Sequence, residues 1–188
     1  AVARKYGVHL VQRPLLVNDY TLEKFKYQFS KLWMFNQSGY WVFLDTDLVF
    51  HQHPAICAAA CEQALRLDHT AICAVGDVFM PVFKNTYRRW GKHRYFNAGF
   101  FAAYGSEVLF KQLMQSMEQT NGIYRMYAEQ SFLNDFFTQK SLLPTACNYR
   151  RMWYDFSNAD ESQIVIEHGK YGVNPQVPIP SVCRNLYK

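Results

Sequence analysis

Tyr40-Trp41-Val42-Phe43-Leu44-Asp45-Thr46-Asp47 is a run of five apolar residues that stops on two carboxylates. A nearly continuous apolar run of this length predicts a strand buried on both faces of a sheet. Ligands of open α/β sheets bind beyond the carboxyl ends of such strands, which is where Asp45 and Asp47 fall. Residues at i and i+2 face one side of an extended chain, so the two carboxylates repel unless a cation or hydrogen-bond donors neutralise them. Paired oxygen ligands suit a hard divalent ion, Mg2+ or Mn2+. The plainer alternative is that one aspartate caps the next segment and the other is solvated. A glycosidase acid/base pair does not fit, because those carboxyls sit on separate segments about 5 to 9.5 Å apart.

Working outward, Val8 to Val11 reads as a short strand, and Thr21 can cap a helix to about Phe35. Phe25, Phe29, Leu32 and Phe35 give that helix an apolar stripe. Pro54 opens a helix to about Leu67, Ala71 to Val75 and Phe100 to Tyr104 read as strands, and Ser106 caps a helix to about Gln119. A helix over Glu129 to Phe137 and a strand over Ile164 to Ile166 follow. Strands alternating with helices predict an α/β sheet covered on both faces. The whole of 1–188 reads as a single domain, with 173–188 an irregular surface tail marked by Pro175, Pro178 and Pro180.

The 188 residues are 49% hydrophobic, 17% aromatic and 19% charged, which excludes a disordered or low-complexity chain. No apolar stretch reaches the roughly 18 residues of a membrane span. The start, Ala1-Val2-Ala3-Arg4-Lys5, has neither an initiator Met nor a signal-peptide core, which reads as a fragment or a processed chain. The net charge of +5 fits an anionic small molecule or partner and does not by itself indicate nucleic acid. The five cysteines, Cys57, Cys61, Cys73, Cys147 and Cys183, form no Cys-x-x-Cys pair and no zinc spacing, so they read as reduced core residues. Asn36-Gln37-Ser38 is a glycosylation triplet that matters only in a secretory compartment.

Four stretches together resemble glycosyltransferase family 8, the group of glycogenin and bacterial lipopolysaccharide galactosyltransferases. They are Ser30-Lys31-Leu32 with Val42 to Asp47; Tyr95-Phe96-Asn97-Ala98-Gly99-Phe100-Phe101; Glu129-Gln130-Ser131-Phe132-Leu133-Asn134; and Leu143-Pro144 with Asn148, then Ile164-Val165-Ile166-Glu167-His168. The resemblance implies a GT-A fold, a doubly wound mixed sheet flanked by helices. It also implies a retaining hexosyltransferase that uses a UDP-sugar and Mn2+ or Mg2+, with an acceptor the sequence does not specify. Carried over, Asp45, Asp47 and His168 hold the metal. Lys31 sits near the donor phosphates or the aspartate pair, Asn97, Ala98 and Gly99 line the sugar site, and Gly99 lets the sugar approach the backbone. Glu129 and Gln130 are the catalytic pair, with the Gln130 amide oxygen beneath the anomeric carbon. A neutral amide is a poor nucleophile, so a front-face mechanism is expected. Asp77 is a weaker candidate near the donor sugar.

The chain departs from the family pattern in three places. The first nucleotide-binding strand should precede Ala1. Glu129 stands where the family has Asp. Asn174 stands where it has the diphosphate lysine, a role that Lys170 can take. These departures support a second reading, a degenerate, non-catalytic subunit of a larger assembly. Lys84, Arg88, Arg89, Lys92 and Arg94, interleaved with Tyr87 and Trp90, read first as a solvated loop, then as an active-site lid, and last as a nucleic-acid surface. His51 and His53 read as the approach to the Pro54 helix. Glu167 is a candidate to orient His168. The compartment is open between the cytoplasm and, for a longer anchored protein, the Golgi lumen.

Overall fold

A computed structural model of the chain describes residues 9, 11–16, 23–77, 95–119, 128–150 and 161–169. In chain order it has a 3-10 helix (Glu23–Asn36), β1 (Gly39–Leu44), β2 (Leu48–Phe50), α1 (Ala55–Leu65), β3 (Ile72–Gly76) and β4 (Phe96–Gly105). There follow α2 (Glu107–Gln119), α3 (Ala128–Phe136), β5 (Lys140–Leu143) and β6 (Ile166–His168), with single 3-10 turns at Thr145–Cys147 and Glu161–Gln163. Four strands form a mixed sheet in the order β1-β4-β3-β5, in which only β3 and β5 run parallel. β2 and β6 form a separate antiparallel pair. The mixed sheet flanked by helices is the architecture expected from the sequence.

Period-two alternation builds two cores from the same strands. Ile72 and Ala74 of β3, with Phe101 and Ala103 of β4, face the 3-10 helix, α2 and α3. Cys73 and Val75, with Phe100 and Ala102, face α1. β4 is therefore the central buried strand. β1 is an edge strand among the described residues, with Trp41 41% and Leu44 37% exposed. This corrects the expectation that the Tyr40–Leu44 run is buried on both faces: an edge strand is covered by a neighbour on one side only. The Trp41 indole N–H lies 3.1 Å from the Gln37 carbonyl, which lets the ring stand at the surface.

The first helix is 3-10 rather than α. Phe29, Leu32 and Phe35 are fully buried at intervals of three, the spacing a 3-10 helix lines up on one face. The Pro54 helix stops at Leu65, two residues early, and leaves Leu67 95% exposed. Ser106 caps α2 as expected, its hydroxyl accepting from the Leu109 N–H at 3.1 Å. β4 begins at Phe96, four residues before the expected start, because the Asn134 side chain bonds both the N–H and the carbonyl of Phe96 at 2.8 and 2.9 Å. The late strand runs Ile166–His168, two residues later than expected. β2 and β5 were not legible as strands, being three and four residues long. Of the expected Val8–Val11 strand, His9 and Val11 are not in a strand and the other two residues lie outside the described residues, as do the Thr21 cap, the basic segment 84–94, Lys170 and the tail.

The cysteines correct a further expectation. Cys57 pairs with Cys147 and Cys61 with Cys73, with Cα–Cα distances of 5.8 and 5.4 Å. Four residues apart on α1, Cys57 and Cys61 share the face turned to the sheet, where β3 and the turn after β5 present their partners. Cys183 lies outside the described residues.

Tyr40 on β1 donates its hydroxyl to the Ala58 carbonyl of α1 at 2.6 Å. Burial is the main reason its phenol is pushed up to about 12 from 10.0. The folded state thus holds this proton more tightly than the unfolded chain. The stability it contributes is complete below pH 10.0 and is lost as pH rises toward about 12. Unfolding profiles of Tyr40→Phe should lack this alkaline step and sit about 1 kcal/mol lower at neutral pH. A parallel alkaline decline in parent and variant would contradict the assignment.

Candidate functional site

Asp45 leaves the sheet at the carboxyl end of β1, its N–H held by the Gly99 carbonyl of β4 at 2.8 Å. A turn over Thr46 and Asp47 leads into β2, whose Leu48 pairs with His168 of β6. That register carries His168 to the aspartates. Its Nε2 is 3.3 Å from Asp47 Oδ1 and 3.8 Å from Asp45 Oδ2. One ligand atom from each of the three residues lies within 4.8 Å of the others. Ligand bonds to a divalent ion are near 2.0 to 2.3 Å, so ligand atoms on one ion stand about 3 to 4.5 Å apart. The three residues fit that geometry, and two carboxylates with an imidazole suit Mn2+ or Mg2+. His168 is the first influence on Asp47, holding its carboxyl below the usual carboxylate range against burial.

Gly99 makes the seat for this histidine. A Cβ there would collide with the His168 imidazole ring and lie 2.9 Å from the Asn97 amide oxygen. The space that a side chain at position 99 would take is filled by the His168 ring.

Lys31, on the 3-10 helix, reaches Asp45 Oδ1 at 2.9 Å and Glu129 Oε1 at 2.7 Å. Its ammonium also lies 4.9 Å from the centre of the Phe43 ring. Burial works against that charge, but the two carboxylates outweigh it and hold Lys31 above its ordinary value. Burial conversely pushes the Glu129 carboxyl up, with Lys31 opposing. The other oxygen of Glu129 is buried and has no hydrogen-bond partner among the described residues. Replacing Lys31 with Met strands Glu129, so Lys31→Met should lose about 3 to 5 kcal/mol in urea unfolding. A loss below about 1 kcal/mol, the size of an exposed pair, would contradict this.

Gln130 is fixed at both ends. Its Oε1 accepts from the Ala98 N–H at 3.0 Å and from Asn97 Nδ2 at 3.2 Å, while its Nε2 donates to Asp77 Oδ2 at 2.9 Å. Asp77, at the end of β3, also lies 3.6 Å from the Arg150 guanidinium. Ala98 itself is 1% exposed in the core and contributes its backbone N–H to Gln130. The structure therefore brings Lys31, Asp45, Asp47, Asp77, Asn97, Gly99, Glu129, Gln130 and His168 into one contiguous network. Glu167 instead bonds His51 at 2.8 Å, because successive strand residues face opposite ways. His53 Nδ1 accepts from the Ala55 N–H at 3.2 Å, at the start of α1. Sequence reasoning gave no role to Arg150 or Asn148. Asn148 bonds Asn97 and His168, and the only trace of it in the sequence is its place in the Leu143-Pro144 segment.

No protein-family model matches the chain, and no curated protein matches it significantly. Solved structures do. The galactosyltransferase LgtC, crystallised with donor and acceptor sugar analogues, matches with a TM-score of 0.58 at 14% identity, over 84% of this chain and 62% of LgtC. An active-site glutamine-to-glutamate mutant of LgtC gives 0.59 at 13%, over 84% of this chain and 70% of that one. The apo glycosyltransferase GlyE of Streptococcus pneumoniae TIGR4 gives 0.59 at 19%, over 98% of this chain and 46% of GlyE. The chain has the GT-A fold of these glycosyltransferases. It spans 62% of the length of LgtC and 46% of that of GlyE.

Proposed function

We propose that the chain is the catalytic domain of a retaining glycosyltransferase of family-8 type, moving a hexose from a UDP-sugar to an acceptor with Mn2+ or Mg2+. The observation that carries this is the meeting of Asp45, Asp47 and His168 at the carboxyl end of β1, within one polar network with Lys31, Glu129 and Gln130. Asp45, Asp47 and His168 hold the metal, which would supply Lewis-acid neutralisation of a diphosphate leaving group. Lys31 keeps Asp45 oriented and places positive charge beside the same group. Glu129 holds Lys31 in place beside Asp45, and Asn97 and Asp77 line the sugar. Lys170 is the candidate for the diphosphate-binding lysine of the family pattern, whose own position holds Asn174 here.

Gln130 already accepts two hydrogen bonds at Oε1, which lowers its nucleophilicity further. That favours departure of the leaving group and attack by the acceptor on one face of the sugar, with Gln130 fixed where positive charge develops. The active-site glutamine mutant of LgtC puts a residue of this type at such a site in a protein of the same fold. The two disulfides favour an oxidising compartment over a reducing cytosol.

The test is slow hydrolysis of a panel of UDP-hexoses in the presence of Mn2+, read as UDP release. Release from one UDP-hexose that falls at least about 100-fold in Gln130→Ala supports the reading. Release from none would favour the non-catalytic subunit instead, and release unchanged in Asp45→Asn would contradict the metal-binding role of Asp45.

A further inference from the structure

The hydrogen bonds around Gly99 have only one consistent polarity. The Gly99 backbone N–H is a donor whatever its surroundings, and it points at the Asn97 amide at 2.9 Å. The Asn97 atom it meets is therefore oxygen, an acceptor. Asn148 approaches the same oxygen at 2.9 Å, so the Asn148 atom there is its NH2. The other end of the Asn148 amide is then oxygen, and it faces His168 Nδ1 at 3.0 Å. Only a protonated Nδ1 can donate to it. The far end of Asn97 agrees: its NH2 donates to Gln130 Oε1, an acceptor because the Ala98 N–H also donates to it. Asn97, Asn148 and His168 are 4%, 2% and 8% exposed, so water has little access to break the sequence.

We propose that Asn148 is a positioning residue for the metal site, relaying the fixed polarity of the Gly99 N–H through Asn97 to His168 so that Nδ1 keeps its proton and Nε2 offers its lone pair to a divalent cation held with Asp45 and Asp47. This rests on the metal reading given under the proposed function. Metal-bound histidines commonly owe their orientation to such a partner on the second nitrogen, and losing it weakens binding about 10- to 100-fold. The relay differs from the usual carboxylate or carbonyl partner in being an amide, whose direction must itself be set. The Cys57–Cys147 disulfide, one residue before Asn148, fixes the backbone that carries it.

Two measurements test this. In the metal-free Asp47→Ala variant at alkaline pH, where an imidazole is neutral and the carboxylate 3.3 Å from Nε2 is gone, ¹⁵N NMR should find the His168 proton on Nδ1, and finding it on Nε2 would overturn the relay. Second, Mn2+ affinity, read by electron paramagnetic resonance of the free ion, should fall about 10- to 100-fold in Asn148→Ala. Asn148→Asp keeps an acceptor for Nδ1 but sets a second oxygen against that of Asn97. It should recover most of the Mn2+ affinity while unfolding more easily than the parent. Mn2+ affinity within about twofold of the parent in a folded Asn148→Ala variant would overturn the proposal, because loss of the partner on Nδ1 should cost about 10- to 100-fold. A parent that takes up no Mn2+ overturns the metal reading instead, and the tautomer then decides the relay alone.

Discussion

Gly99→Ala is expected to weaken divalent-cation binding severely and to lower stability by about 3 kcal/mol. The added methyl group would occupy the position of the His168 ring, and the wall behind it is the Asn97 amide. Both neighbours are buried and bonded on their far sides, so neither can yield without breaking the Asn97–Asn148–His168 sequence. Displacing His168 from the aspartates should weaken Mn2+ binding about 100-fold or more. Gly76→Ala is the matched control. It lies on β3, and its added methyl would meet Leu142 Cδ1 at 3.9 Å, an ordinary contact. Stability and Mn2+ titration should separate the two variants clearly. Equal behaviour would show that His168 does not occupy the space above Gly99.

Reduction of the two disulfides is expected to have the larger effect on the fold. The Cys57–Cys147 bond spans 90 residues and the Cys61–Cys73 bond spans 12. In the chain-entropy account these separations correspond to about 4.5 and about 3 kcal/mol. Their sum is comparable with the whole stability of an ordinary domain, about 5 to 15 kcal/mol. The reduced chain should therefore be largely unfolded at body temperature, with its urea midpoint well below that of the oxidised chain. The pairs should also be separable. Cys61→Ala/Cys73→Ala should cost less than Cys57→Ala/Cys147→Ala, and only the second should also weaken Mn2+ binding, through Asn148. An unchanged midpoint on reduction, or peptide mapping that recovers these cysteines as free thiols, would contradict the pairing.

What was legible in the sequence follows from the range of the interactions involved. Asp45 and Asp47 could be placed because their strand and their spacing are local. The helices after Pro54 and Ser106 could be placed because caps are local too. His168 and Gln130 came from the resemblance, since no local rule marks a histidine or glutamine as part of a site. The disulfides were missed because Cys57 and Cys147 are brought together only when α1 packs on the sheet, and no spacing announces it. The first helix was read as α because Phe29, Leu32 and Phe35 fit both a period of 3 and one of 3.6 over so few turns. The β1 run reads as buried on both faces because apolar composition does not distinguish an edge strand whose tryptophan lies at the surface. Nothing local in the sequence gives Asn148 a role, because its two partners, 51 and 20 residues away, meet it only in the fold.

The proposed activity requires a divalent cation held by Asp45, Asp47 and His168 against a nucleotide diphosphate. Calorimetric titration of UDP into the chain, with and without Mn2+ and alongside Asp47→Ala, tests it most directly. UDP binding that requires Mn2+ and disappears in Asp47→Ala while that variant stays folded is the predicted result. UDP binding that is the same with and without Mn2+, or that survives in Asp47→Ala, would contradict it.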